Sequence, residues 1–212
     1  SYYFIEQNAK KYEIAKVEQY NYFVLKQNEK SGVIDKNGNK IIETEYEDVK
    51  IPNPEQAIFI CYKSNEVKVL NEKQEEILNK YEKVEPIRLK NIASDLMYEK
   101  SVLRYYKNGK YGLIDLNGKK LLDCEYDEIS AMKGIETSLL IRKDGYVGLA
   151  NNAGTILIDV KYSDIKNLGT TYKEGYITTD ENGKCGIVST TKIQILENKY
   201  NEIKQVYLGD NY

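Results

Sequence analysis

The apolar residues of this chain fall in adjacent pairs, and the pairs recur. Val33-Ile34 is followed by Ile41-Ile42, Leu113-Ile114 by Leu121-Leu122, and Ile187-Val188 by Ile195-Leu196. Between two such pairs sits a turn signal, as at Asn37-Gly38 or Asn117-Gly118. Neighbouring residues in a strand point to opposite faces, so an adjacent apolar pair puts hydrophobic groups on both sides of one hairpin. A sheet wetted on one side would alternate apolar and polar residues instead. The pattern therefore predicts short antiparallel strands in small sheets covered on both sides. With a turn at Asn117-Gly118, Leu116 is expected opposite Lys119, Ile114 opposite Leu121, and Leu113 opposite Leu122. The expected core includes Ile34, Ile42, Ile114, Leu121, Leu149, Leu157, Val188 and Ile195.

The hairpins belong to a repeat. A Gly and a Tyr recur 14 residues apart at Gly32/Tyr46, Gly112/Tyr126, Gly148/Tyr162 and Gly186/Tyr200. A worn copy ends at Tyr81, with Lys68 where Gly is expected. Periods of this kind mark an array of supersecondary units. Asn108-Gly109, Asp144-Gly145 and Asn182-Gly183 form one set of turn signals. Asn37-Gly38, Asn117-Gly118 and Ala153-Gly154 form the other. Asn-Gly and Asp-Gly favour type I′ turns, whose two central residues both need positive φ. The spacing between sets leaves room for one ordinary strand. Each unit thus reads as a three-stranded meander. Endings such as Tyr126-Asp127-Glu128-Ile129 add a fourth short strand.

The expected fold is all-β: one repeat domain over residues 1–212 with about five meander units of three to four strands. The units fall near 22–49, 57–84, 101–129, 138–165 and 175–203, with a partial unit or cap at 1–17. Four short strands per unit and double-sided burial favour a propeller-like ring. An open β-solenoid is the alternative. Lys11-Tyr12-Glu13 could close a ring or serve as a cap. The interval from Tyr81 to Tyr126 is longer than its neighbours. The excess lies around Ile87–Lys100, where Asn91–Met97 could form one or two helical turns, and a surface loop is expected.

Gly inside a strand usually marks a close approach. The recurrent Tyr is a candidate for the ring that covers it, as in aromatic rescue. On this reading Tyr46, Tyr126, Tyr162 and Tyr200 are structural. The competing reading is a ladder of exposed rings that stacks on a ligand.

The units resemble the WG repeat family, also called KWG repeats. Lys110-Tyr111-Gly112-Leu113-Ile114-Asp115 carries the resemblance most fully, followed by Gly118-Lys119 and Tyr126-Asp127. Ser31-Gly32-Val33-Ile34-Asp35, Val147-Gly148 and Lys184-Cys185-Gly186 match in part. The chain has no Trp, so Ser31, Tyr111, Val147 and Cys185 occupy the signature position. The resemblance implies a non-catalytic bacterial repeat module.

Composition narrows the function. Lys and Arg number 31 against 33 Asp and Glu, interleaved along most of the chain. That leaves no basic stripe for a nucleic-acid backbone. No stretch approaches the length of a membrane span. No signal peptide is visible, and the start at Ser1 without Met is compatible with a lost leader, so the compartment, cytoplasmic or envelope, stays open. The three cysteines, Cys61, Cys124 and Cys185, sit at different places in their units, which argues for free thiols and against a disulfide framework.

There is no His. Ser-His and Cys-His nucleophile systems in their usual forms are therefore excluded. Three cysteines without close pairs do not make a structural zinc site. Glu47/Asp48 and Asp127/Glu128 follow the repeat Tyr, and their recurrence marks them as turn or surface residues before catalytic ones. No enzyme activity, cofactor or metal is expected, and no catalytic or binding residue is singled out. The expected partner is another protein held by an interaction or scaffolding module. The alternative is an envelope module that binds glycan through its 20 Tyr.

Overall fold

A computed structural model describes residues 20–90, 96–169 and 175–205. These residues form nineteen β-strands and no helix. The strands make five antiparallel sheets, each a simple meander in chain order. Sheet I holds β1 (Tyr22–Gln27), β2 (Lys30–Asp35) and β3 (Lys40–Tyr46). Sheet II holds β4 (Asp48–Lys50), β5 (Phe59–Lys63), β6 (Glu66–Leu70) and β7 (Glu76–Ile77). Sheet III holds β8 (Lys83–Arg88), β9 (Tyr98–Lys107), β10 (Lys110–Asp115) and β11 (Lys120–Tyr126). Sheet IV holds β12 (Glu128–Ala131), β13 (Ser138–Lys143), β14 (Tyr146–Asn151) and β15 (Ile156–Tyr162). Sheet V holds β16 (Asp164–Asn167), β17 (Tyr176–Thr179), β18 (Cys185–Val188) and β19 (Gln194–Tyr200).

The all-β repeat array is as the sequence predicts, and it is not closed into a ring among the described residues. The physical correlate lies in sheet V, whose last strand leaves Ile195, Leu196 and Tyr200 exposed where a following sheet would bury them. The segment around Tyr12 lies outside the described residues, as do Asn91–Asp95 of the suspected helical turns.

The fourth strand of each sequence unit exists but belongs elsewhere. β4, β8, β12 and β16 each follow a repeat Tyr and pair as the first strand of the next sheet. The backbone makes the handover. Glu47 N–H donates to Tyr62 O at 2.9 Å, Asp127 N–H to Arg142 O at 2.8 Å, and Ser163 N–H to Thr179 O at 2.8 Å. Side chains reinforce it: Glu47 accepts from Ser64 N–H at 3.1 Å, and Asp127 from Asp144 N–H at 2.9 Å. The recurrent carboxylates after Tyr thus stitch one sheet to the next.

Turn chemistry is partly as expected. Asn108-Gly109 and Asp144-Gly145 have positive φ at both residues, the type I′ pattern. At Asn37-Gly38, Asn117-Gly118 and Asn182-Gly183 only the Gly is positive. There the preceding Asp organises the turn. Asp115 Oδ1 accepts from Asn117 and Lys119 N–H, and Asp35 in sheet I and Asp180 in sheet V do the same in their turns.

Register also differs from expectation around one residue in four of the five sheets. Leu113 faces Leu122 as predicted, but Ile114 faces Lys120, not Leu121. A bulge shifts the register on both sides of Leu113, and the same shifts occur in sheets I, IV and V. Of the expected core, Ile34, Ile42, Ile114, Leu149 and Val188 are buried. Leu121 and Leu157 are only half-buried, and Ile195 is exposed. Leu122 and Ile158 take the buried places instead, because the bulge moves the core position by one residue.

The bulge explains the recurrent Gly. A Cβ on Gly32 would lie 2.3 Å from the Ile42 carbonyl oxygen, and one on Gly148 would lie 2.6 Å from that of Ile158. The bulged strand's backbone is what approaches, not the repeat Tyr. Only Gly112 also meets a ring, and that ring is Tyr105 on the strand before it. Sheet II carries Lys68 at this position, and its β6–β7 pairing runs without a recorded shift over two residue pairs.

Packing follows the stacking. One cluster joins Leu113, Leu122 and Tyr126 of sheet III to Ile129, Leu139 and Ala150 of sheet IV. A second joins Leu149, Ile158 and Tyr162 of sheet IV to Ile165 and Tyr176 of sheet V. Arg104 adds a polar tie: its Nε donates to Glu85 at 2.8 Å and an Nη to the Ile129 carbonyl at 3.1 Å, with a further ion pair to Glu128. Burial works to raise the Glu85 pKa, but hydrogen bonds from Lys83 and Arg104 outweigh it and hold the carboxyl below its ordinary range. Ile114 is fully buried. Ile114→Ala should therefore lower stability by about 2–5 kcal/mol, read from chemical denaturation. A loss near ~0.5 kcal/mol, typical of surface sites, would contradict the packing described.

Candidate functional site

The repeat positions build the stack, so a site is best sought where residues that do not recur come together. That happens in a cleft of about 460 Å³ between sheets I, II and III. Tyr20, Tyr22, Val24 and Lys26 line it from β1 and the residues before it. Asp48, Lys50, Pro52 and Pro54 line it from β4 and the loop beyond. Arg88, Leu96, Met97 and Tyr98 complete it from the ends of β8 and β9.

The walls are held by backbone bonds. Asn21 and Tyr22 N–H groups donate to Pro54 O at 2.9 and 3.1 Å. Leu89 N–H donates to Met97 O at 2.9 Å, and Arg88 pairs with Tyr98, so the base of the long interval is clamped as a strand pair. Asn53 Nδ2 donates to Lys100 O at 3.2 Å, joining the second wall to the third. The long interval expected as a surface loop thus delivers four residues to the cleft.

The lining is apolar with a cationic edge. Tyr22 packs edge-on against Phe59 at 5.1 Å and donates its hydroxyl to Glu72 at 3.0 Å. Burial, then Glu72, raises the Tyr22 pKa, and burial raises that of Tyr98, so both stay neutral phenols at neutral pH. Lys50 lies 4.8 Å from the centre of the Tyr62 ring. Lys26 and Arg88 are exposed, and Met97 keeps 54% of its surface in solvent. Asp48 is the one acid in the lining, and its Oδ1 accepts from the Val49 N–H. The cleft therefore offers rings, a flexible thioether and three cations against one carboxylate. Thioethers adapt to varied apolar surfaces, and cations at a rim select the sign of what enters.

Two further clefts, of about 620 and 670 Å³, lie between successive sheets beside their hairpins, and hold Tyr162 and Tyr81 respectively. The repeat Tyr do not form an exposed ladder. Tyr126 and Tyr162 are each 6% exposed, Tyr46 is half-buried, and only Tyr200 is open at 40%. Tyr81 donates its hydroxyl to the Gly118 carbonyl at 2.6 Å. Among the described residues no cluster of His, Cys, Asp and Glu is arranged to hold a metal. All three cysteines are unpaired, and burial pushes the Cys61 thiol up to about 12. No described helix is long and apolar enough to cross a membrane.

One group escaped the sequence reading. Glu99, just beyond the cleft wall, is 1% exposed. It accepts from Asn152 Nδ2 at 3.3 Å and Ser101 N–H at 3.1 Å, and burial raises its pKa. The signal was an acid inside the one irregular interval, in a chain where acids are otherwise common.

The residue at the family's signature position faces the repeat Tyr across the third hairpin arm. Ser31 pairs with Tyr46, Tyr111 with Tyr126, Val147 with Tyr162 and Cys185 with Tyr200. Residues 32–53 and 111–134 match the family model described as WG containing repeat. These segments are WG repeats. Each matched WG segment runs from the next-to-last strand of one sheet into the first strand of the next and beyond, so the sequence unit straddles the sheet boundary. No curated protein matches the chain. Among solved structures, the chain is similar to Kluyveromyces lactis Hsv2 at 9% identity and a TM-score of 0.38, over 81% of this chain and 59% of that one. The crystal structure of a eukaryotic initiation factor matches at 8% identity and a TM-score of 0.39, over 81% of this chain and 50% of that one. The chain thus spans less than two thirds of either.

Proposed function

We propose that this chain is a non-catalytic interaction module that holds another protein in the cleft between sheets I, II and III. The segment it takes is extended, carries apolar side chains and leans acidic. The observation behind this reading is the gathering of Arg88, Met97 and Tyr98 from the irregular interval with Tyr22, Lys26 and Lys50. Rings and Met97 would bury the apolar side chains, and Lys26, Lys50 and Arg88 would face the acids. Burial of the repeat Tyr works against the glycan alternative.

A random-peptide display selection tests the reading. Recovered peptides should combine an aromatic or long aliphatic residue with Asp or Glu. Lys50→Glu/Arg88→Glu should weaken them by at least ~10-fold, a loss of about 1.4 kcal/mol. Met97→Asp should do the same, with unfolding curves unchanged. Peptides without acidic bias, or peptides that bind all variants equally, would overturn it.

A further inference from the structure

The worn unit ends differently from the others. The last strand of sheets I, III, IV and V runs seven residues, but β7 of sheet II stops after Glu76-Ile77. Leu78 takes a positive φ of 57°, and Tyr81 N–H donates to Leu78 O at 3.1 Å, so the chain turns where a strand would continue. The turn carries Lys80 and Tyr81 to the cleft of about 670 Å³ between sheets II and III. Sheet III supplies the other wall, with Tyr106, Lys107, Lys119 and Lys120.

Three of these lysines gather around one point. Lys80 Nζ lies 5.0 Å from the centre of the Tyr81 ring. Lys120 interacts electrostatically with both Tyr81 and Cys124, and Lys107 with Cys124. The point itself is fixed. Tyr81 donates its hydroxyl to the Gly118 carbonyl and packs on the Tyr105 ring at 4.9 Å, while Cys124 Sγ donates to the Lys110 carbonyl at 3.1 Å. Four lysines in the lining stand against two acids, Glu82 and Asp123, and Lys120 holds Asp123 at 2.7 Å. Among the described residues no ion pair engages Lys80, Lys107 or Lys119. The repeat does not impose this sign, because the cleft between sheets IV and V sets Lys161 against Asp180, Glu181 and Glu197.

We propose that the cleft between sheets II and III binds a phosphate monoester. The lining's excess of two positive charges matches a group that carries about −1.5 to −2 at neutral pH. Lysines meet phosphate oxygens as point charges on flexible stems, so several can close on one anion. The half-buried Tyr81 and Tyr106 rings give its organic part an apolar wall. This site shares no residue with the peptide cleft between sheets I, II and III and stands independently of it.

Isothermal titration calorimetry with phenyl phosphate and adenosine monophosphate tests the proposal, with phenol and adenosine as controls. At least one phosphate should bind, more weakly as salt is raised, and the controls should not. Lys80→Gln/Lys107→Gln should weaken binding at least ~10-fold, with unfolding curves unchanged. Asp123→Asn, which frees Lys120, should tighten it. Lys50→Glu/Arg88→Glu should leave it as it was. No heat from either phosphate would overturn the proposal. So would controls that bind equally well, or a loss of binding confined to Lys50→Glu/Arg88→Glu.

Discussion

Tyr126→Ala should lower the unfolding free energy by about 3–5 kcal/mol, as other buried aromatic truncations do. The ring is 6% exposed and lies in the cluster that joins sheets III and IV, with Leu122 and Ile129. Its hydroxyl is pushed up to about 12, first by burial and then by Glu125, so the phenol stays neutral through the ordinary pH range. Denaturant titration with intrinsic fluorescence would measure the loss. Partner binding per folded molecule should not change. An unchanged melting curve together with lost binding would restore the ladder reading of the repeat Tyr.

Gly32→Ala should cost at least about 3 kcal/mol, at or beyond the upper range for overpacking in a well-packed core. The added methyl carbon would sit 2.3 Å from the Ile42 carbonyl oxygen and 2.8 Å from the Glu43 carbonyl carbon. Both are backbone atoms of the paired strand, so no rotamer change relieves the clash. Gly145→Ala is the control. Its methyl would meet nothing within 4 Å, and only the positive φ of 84° is strained. That variant should lose about 1 kcal/mol, the scale of a left-handed residue without glycine. Equal losses at the two positions would remove the bulge as the reason for the recurrent Gly.

The repeat was legible because its cause is local and recurs. A close backbone approach demands Gly wherever it happens, and a buried ring demands Tyr at a fixed distance from it. Turns were legible for the same reason, although Asp35 and Asp115 organise theirs by a mechanism that the Asn-Gly signal hides. The bulge was not legible. It adds residues to one strand only, and the paired apolar positions read equally well with or without it. So Leu121 was placed where Leu122 belongs. Which sheet receives the strand after each Tyr was also hidden, since an apolar pattern specifies that a residue is covered and not by whom. The cleft could not be read at all. Lys26 and Lys50 are ordinary lysines in a lysine-rich chain, Arg88 carries no motif of its own, and only the meeting of three sheets makes them neighbours.

The handover of β4, β8, β12 and β16 has a consequence for how such arrays grow and break. A stretch copied or deleted in the gene as one repeat, Gly to Gly, removes the last strand of one sheet and the first strands of the next. The sheets on either side can then rejoin in register, because each cut end carries the half that the other lacks. A cut made at a sheet boundary instead keeps each sheet's own strands together but parts faces that pack on one another, as Leu122 and Ile129 do. Shortening the chain by whole sequence periods should thus yield well-formed shorter arrays. Domain-like excision of a visible sheet should yield a fragment that does not hold together.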